Sequence, residues 1–253
     1  MIDLHCHLLP GVDDGSRSVK QSVEVLRRMQ EAGVTSVCLT PHHTSGRIAA
    51  GIPASHDTAF AALSAEAPAG IALSRGVELM LDRSVSPELL EHPGLTLAGT
   101  RYLLVEFPRV AAAPAVENAL QQIAQLGLVP VLAHPERYSG CSPGAVRRWK
   151  AVGAVMQVDA PTLLSGRGRG KRARELLAHG LADIMAADNH GDDRMLGPTY
   201  SFLCEQGAGL QADLLARDNP AAILANGELT PVPPFEVKTA FLDRLRNMLG
   251  EDE

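Results

Sequence analysis

Apolar residues recur along this chain with two periods, and the two alternate. Residues 2–5 open as a short β-rich run. Residues 18–32 follow as a helix, with Val19, Val23, Leu26 and Met29 on one face, Ser16 or Ser18 able to cap its start and Gly33 ending it. Residues 34–40 read as a second strand, and a loop rich in Gly and Pro leads to a helix near 54–65. Further strands are predicted at 71–77, 102–106, 128–134, 154–158 and 182–187, with helices near 115–126, 143–152 and 171–179. Strand–helix alternation implies parallel strands joined by right-handed crossovers, hence a closed barrel or an open doubly wound sheet. A Pro-rich stretch at 230–234 precedes a last amphipathic segment, 235–249. With no internal repeat and no low-complexity linker, one domain is expected over 1–253, with 226–253 packed on it as a C-terminal extension.

Composition narrows this only a little. A length of 253 residues suits one α/β barrel, and a net charge of −6 with 4% aromatics argues against a nucleic-acid groove, a stacking platform or an anionic membrane surface as partner. Cys6, Cys38, Cys141 and Cys204 lack metal-knuckle or redox spacing and read as reduced thiols. No apolar run approaches the roughly 20 residues of a membrane span, and the first strand leaves no room for a signal peptide, so no membrane insertion and a cytoplasmic location are expected.

The informative pattern is where the rare side chains fall. The predicted strands end in His5-Cys6-His7, in Pro41-His42, in Gly76-Val77-Glu78, in Glu106, in Ala133-His134 and in Asp188-Asn189-His190. In a parallel barrel the C-terminal strand ends open onto one face, so these residues would converge. His5 with His7, and Asp188 with His190, have the i, i+2 spacing that puts both side chains on one side of extended chain. Imidazole with carboxylate suits zinc, iron or manganese better than calcium. Taken singly, each histidine reads as a structural hydrogen bonder and each carboxylate as an ion-pair partner or helix cap; six such strand ends together read as a metal site. His56, His92 and His179 are expected to be solvated, and alternation points His43 away from His42.

These residues also carry a resemblance. Ile2-Asp3-Leu4-His5-Cys6-His7, continuing to Asp13-Asp14-Gly15-Ser16, resembles the opening signature of the bacterial PHP-domain (polymerase and histidinol phosphatase) proteins. More narrowly it resembles their manganese-dependent protein-tyrosine phosphatases from capsule and exopolysaccharide loci. Thr40-Pro41-His42-His43, Glu106-Phe107-Pro108, Ala133-His134-Pro135-Glu136-Arg137-Tyr138 and Asp188-Asn189-His190 continue the match over roughly residues 1–225. The resemblance implies a distorted seven-stranded (β/α)7 TIM-like barrel with three divalent ions, manganese foremost, with iron or zinc as other occupants. It implies that His5, His7, Glu78 and Asp188 hold one ion and Asp14, His42 and His190 a second. Glu106 and His134, with Glu78 bridging, would hold the third. It further implies Arg137 and Arg194 as catalytic arginines, although the run Gly191-Asp192-Asp193 before Arg194 is a residue shorter than the family's.

Three divalent ions would outweigh the carboxylates of Asp14, Glu78, Glu106 and Asp188, leaving a cationic site suited to a phosphate monoester dianion, with the arginines as bidentate donors. A metal-bridging hydroxide would attack phosphorus, so no protein nucleophile is required. Cys6 and Cys141 lack the Cys-x5-Arg loop of cysteine-dependent phosphatases. The basic stretch from Ser165 to Arg172 reads either as a segment that closes over the site or holds the acidic surroundings of a phosphopeptide, or as a solvated helix start. The resemblance implies a tyrosine-phosphorylated protein, a bacterial tyrosine autokinase, as substrate and inorganic phosphate as product. Two alternatives stand beside it: a small-molecule phosphatase acting on a substrate such as histidinol phosphate, and a non-catalytic metal-binding scaffold.

Overall fold

A computed structural model describes residues 1–238. In chain order it contains β1 (Ile2–Cys6), α1 (Val19–Glu31), β2 (Ser36–Leu39), β3 (His42–Thr44), α2 (Ala54–Glu66), β4 (Ala72–Arg75), β5 (Glu78–Met80) and β6 (Tyr102–Glu106). There follow α3 (Ala113–Gln125), β7 (Val129–Ala133), α4 (Pro143–Ala151), β8 (Val155–Asp159), α5 (Ala160–Leu164), α6 (Gly168–Ala178) and β9 (Ile184–Ala186). The described chain closes with α7 (Leu196–Glu205), α8 (Gly209–Asp213) and α9 (Asn219–Leu224).

All strand pairs are parallel, in a three-stranded sheet β1-β2-β4 and a six-stranded sheet β3-β5-β6-β7-β8-β9. The seven expected strands are present to within two residues, and two further short strands, β3 and β5, begin just past the expected ends at 40 and 77. Pro41 has no N–H to donate to a ladder and separates β2 from β3, and Gly76-Val77 separates β4 from β5. Pairing nevertheless carries across both breaks. Leu39 faces Arg75, Gly76 N–H donates to Leu39 O at 3.0 Å, Glu78 N–H donates to Pro41 O at 3.1 Å, and His42 faces Glu78. β1 also meets the far end of the larger sheet: Asp188 N–H donates to His5 O (3.0 Å) and His7 N–H to Asn189 O (2.7 Å).

Two of the described α-helices, α1 and α4, start at a side-chain cap. Ser18 accepts from Gln21 N–H at the head of α1, and Val23, Leu26 and Met29 are buried as their spacing predicts. Gly33 then takes φ +87°, a left-handed turn that costs a side-chain-bearing residue more. Residues 196–224, to which the sequence pattern assigns no element, form α7 to α9. Gly197 and Pro198 fall in the first turn of α7, where a proline is tolerated.

Within the extension, Asn226 Oδ1 accepts from Arg101 N–H at 2.9 Å, Val232 is buried, and Phe235 N–H donates to Leu177 O at 3.1 Å. Most of the expected amphipathic segment 235–249 lies outside the described residues. His56, expected in solvent, is buried on α2 at 7% exposure, and His43 is buried with its Nε2 unpartnered. Among the described residues no helix is long and apolar enough to cross a membrane.

Candidate metal centre

The strand ends do converge. His5 on β1 and His7 just beyond it turn their Nε2 atoms toward each other at 3.2 Å. His5 Nε2 lies 3.3 Å from Glu78 Oε2 and 3.2 Å from Asp188 Oδ1; His7 Nε2 lies 3.3 Å from each. Five edges of a tetrahedron of ligand atoms are thus nearly equal. The centre of a regular tetrahedron of that edge is about 2.0 Å from its corners, the usual metal–nitrogen and metal–oxygen distance. The residues present therefore fit a divalent ion.

The protons agree with this geometry. Gln157 on β8 donates its amide to Val158 O, so its Oε1 is the atom facing His5 Nδ1 at 2.9 Å, and it accepts that ring proton. His7 Nδ1 likewise donates to Asp13 Oδ2 at 2.7 Å, and His190 Nδ1 donates to the Asp188 carbonyl at 3.0 Å. Each of these rings is left with its Nε2 lone pair toward the cluster, the tautomer a metal needs.

A second group joins His7, Asp14, His42 and His190, with His42 Nε2 3.3 Å and His190 Nε2 3.6 Å from Asp14 Oδ1. A third comprises His42, Glu78 and Glu106, where His42 Nδ1 lies 3.1 Å from Glu78 and 3.4 Å from Glu106. His134 is close beside it, its Nε2 2.9 Å from Glu78 Oε1 and 3.9 Å from Glu106 Oε2. All nine residues singled out as ligands therefore meet, with His42 standing between the last two groups.

Crowded charges shift one another's protons. Burial works against ionisation of His7, yet Asp13, Asp188 and Glu78 hold its pKa well above the ordinary histidine range. Burial opposes His42 too, and Glu106 with Glu78 raises it to about 10. Glu78 and Asp188 are both lowered despite their burial, by the surrounding histidines and, for Asp188, by Arg137. The two histidines are thus biased toward the protonated form and the two carboxylates toward the ionised form.

Local backbone delivers the ligands. His134 (φ 35°) and Asp188 (φ 48°) both take left-handed conformations just past β7 and β9, each costing about 1–2 kcal/mol. Asp188 therefore reaches the cluster through a left-handed turn, not by the strand alternation that its spacing with His190 suggests. The loop after β1 folds back so tightly that a Cβ on Gly15 would lie 2.0 Å from His7 O. That return, closed by Ser16 N–H donating to His7 O at 2.8 Å, sets Asp13 against His7 and Asp14 against His42.

The arginines differ. Arg137 lines the cavity of about 380 Å3 over the cluster, together with Met80, Phe107, Pro108 and Arg109. Arg194 engages Asp192 through Nε at 2.8 Å and reaches Asp188 Oδ2 only at 3.4 Å, and it does not line that cavity. In the basic stretch, α6 begins at Gly168 and Arg172 donates to Tyr138 O at 3.0 Å, while Arg167 and Arg169 are exposed. Asp13, Gln157 and Asp159 take part without having been singled out from the sequence. The doubled Asp13-Asp14 and a carboxylate one position past the predicted strand 154–158 were the available signals.

Comparison with known proteins places this geometry. Residues 1–225 match the profile of a family described as capsular polysaccharide synthesis, CpsB/CapC. The chain is 27% identical over 248 residues to the tyrosine-protein phosphatase YwqE of Bacillus subtilis (strain 168), covering 94% of this chain and 97% of that protein. To the tyrosine-protein phosphatase CpsB of Streptococcus pneumoniae it is 26% identical over 238 residues, covering 88% and 98%. A crystal structure from the pair YwqE and CpsB, described as unique metal-dependent tyrosine phosphatases, superposes with a TM-score of 0.79 at 26% identity, over 94% of this chain and 100% of the other. The phosphotriesterase from Mycobacterium tuberculosis superposes with a TM-score of 0.58 at 13% identity and shares the fold alone.

Proposed function

This chain belongs to the CpsB/CapC family of capsular polysaccharide synthesis, and from that premise we propose that it is a metal-dependent tyrosine-protein phosphatase. The observation that carries the reading is the near-regular tetrahedron of His5, His7, Glu78 and Asp188, whose two imidazoles are held by Gln157 and Asp13 in the metal-binding tautomer.

His5, His7, Glu78 and Asp188 are proposed to hold one ion, and Asp14, His42 and His190 a second. Glu106 and His134, together with Glu78, would hold the third, His42 lying within reach of either of the last two. Manganese is the proposed occupant. Bound divalent ions supply Lewis acidity and lower the pKa of water. The chain's own groups do the rest. Arg137, and less directly Arg194, bind phosphoryl oxygens, and the apolar wall of Met80, Phe107 and Pro108 keeps water from the ester's organic side. A tyrosyl phenolate, with a pKa of about 10, needs less help from a proton donor on leaving than an aliphatic alkoxide does.

The substrate proposed is a tyrosine-phosphorylated protein, a tyrosine autokinase of a capsule or exopolysaccharide locus, with phosphate released in the cytoplasm. Residues 1–253 are proposed as one domain. The bonds between β1 and the segment after β9 support reading its two sheets as a distorted seven-stranded barrel.

The test compares turnover of a phosphotyrosine peptide, p-nitrophenyl phosphate and histidinol phosphate by manganese-loaded protein. We expect kcat/KM for the phosphotyrosine peptide to exceed that for histidinol phosphate by about 100-fold, a gap of roughly 3 kcal/mol in transition-state binding. Preference for histidinol phosphate would make it a small-molecule phosphatase. No turnover of any of the three would favour a scaffold.

A further inference from the structure

β8 supplies no residue to any of the three candidate ion groups, although its end lies among strand ends that do. Its last residue, Asp159, is a carboxylate only 3% exposed. Asp159 Oδ2 accepts from Arg137 Nη2 at 2.8 Å and from Thr162 Oγ1 at 2.6 Å, and the Asp159 N–H donates to Glu136 Oε1 at 2.9 Å. The side chain is thereby tied to the first turn of α5 and its backbone to Glu136.

Arg137 Nη2 makes a second bond, to Asp188 Oδ2 at 2.6 Å. Both carboxylates thus take the same nitrogen, and Nη1 and Nε have no hydrogen-bond partner among the described residues. A planar guanidinium held by Asp188 alone could pivot about that contact and fold against the ion cluster. With both hydrogens of Nη2 engaged it cannot, because they lie in the guanidinium plane, and the Nη1 N–H groups keep one direction in which to donate a charge-assisted hydrogen bond to a phosphoryl oxygen.

We propose that Asp159 is a positioning residue that pins Arg137 so that its unshared Nη1 N–H groups are held for the phosphoryl group of the substrate. The proposal rests on the phosphatase reading and on Arg137 as its phosphate-binding arginine. Asp159 acts through Arg137 and not through the ions, which separates its role from that of Asp188.

The experiment measures kcat, KM and inhibition by inorganic phosphate with p-nitrophenyl phosphate, using manganese-loaded wild type, D159A, D159N, R137A and R137A/D159A. Metal content and melting temperature are read alongside. D159A should lose about 10–100-fold in kcat/KM and bind phosphate more weakly, at wild-type metal content. D159N keeps an acceptor oxygen and should recover part of that loss; it also serves if D159A folds poorly. The double variant should be no worse than R137A within about twofold, because the two changes remove one interaction. The proposal is overturned if the Asp159 variants match wild type, if the D159A loss repeats in the R137A background, if metal content falls with Asp159, or if R137A itself is harmless. An inactive wild type would sink the phosphatase reading and this proposal together, whereas an active wild type indifferent to Asp159 sinks the proposal alone.

Discussion

Two halves of the ion cluster sit in different solvents. The side chains of His5, His7, Glu78 and Asp188 are at most 2% exposed, whereas those of Asp14, His42 and His190 are 69%, 36% and 20% exposed. Buried candidate ligands lose hydration on folding and are compensated only by an ion or a proton, so an ion held there would be part of the fold's electrostatic balance. Exposed ligands can be rehydrated when an ion leaves. The buried half should therefore hold tightly and exchange slowly, and the open half should exchange freely and face the substrate.

The largest effect expected from this contrast is on metal removal. Excess chelator should abolish turnover while metal content falls in two phases, the open-side ion leaving first. A single uniform phase, followed by mass spectrometry of the desalted protein, would break the comparison. Next comes D188A, which removes a buried ligand and the acceptor of both arginines. It should lower kcat/KM by about 10³-fold or more with the fold retained by circular dichroism. H42A should cost about 100-fold, and D14A, the most exposed ligand, about 10-fold, a cost that added manganese partly restores. Wild-type turnover in D188A or H42A would refute the ligand assignment.

The smallest effect is a proton count. With its pKa raised to about 10, His42 of the metal-free protein is protonated at pH 8. Manganese must displace that proton, so apparent affinity should rise with pH, and calorimetry in two buffers of different ionisation enthalpy should show net proton release. For the metal-free protein the sign is opposite. The stability that protonated His42 contributes is complete below its unfolded pKa of about 6.5 and is lost as pH rises through about 10. No proton release at pH 8 would show that the open half is not preloaded with protons.

How much of this the sequence carried depends on what kind of information each residue needs. His5, His42, Glu78, Glu106 and His134 were legible because strand-end position alone fixes the face on which they emerge. Asp13, Gln157 and Asp159 were not, because each acts through a partner that only the folded chain brings near: Gln157 and His5 are 152 positions apart. The breaks at Pro41 and Gly76 could be foreseen as interruptions but not as places where pairing resumes in the second sheet. Residues 196–224 escaped because Gly197 and Pro198 give the same local signal in a turn as in the first turn of a helix.

The bonds joining β1 to the segment after β9 also set a timetable. His7 N–H donates to Asn189 O across 182 positions of sequence, so the tetrahedron combines ligands made among the first residues of the chain with Asp188 near its far end. A nascent chain can present His5 and His7 early, but it cannot enclose an ion with them until residues 188–190 have emerged and closed on β1. Such long-range closure is slow by nature. An ion held by these four residues would thus be enclosed only after β1 and residues 188–190 have paired, so the finished cavity, and not the first histidines to appear, would select what enters.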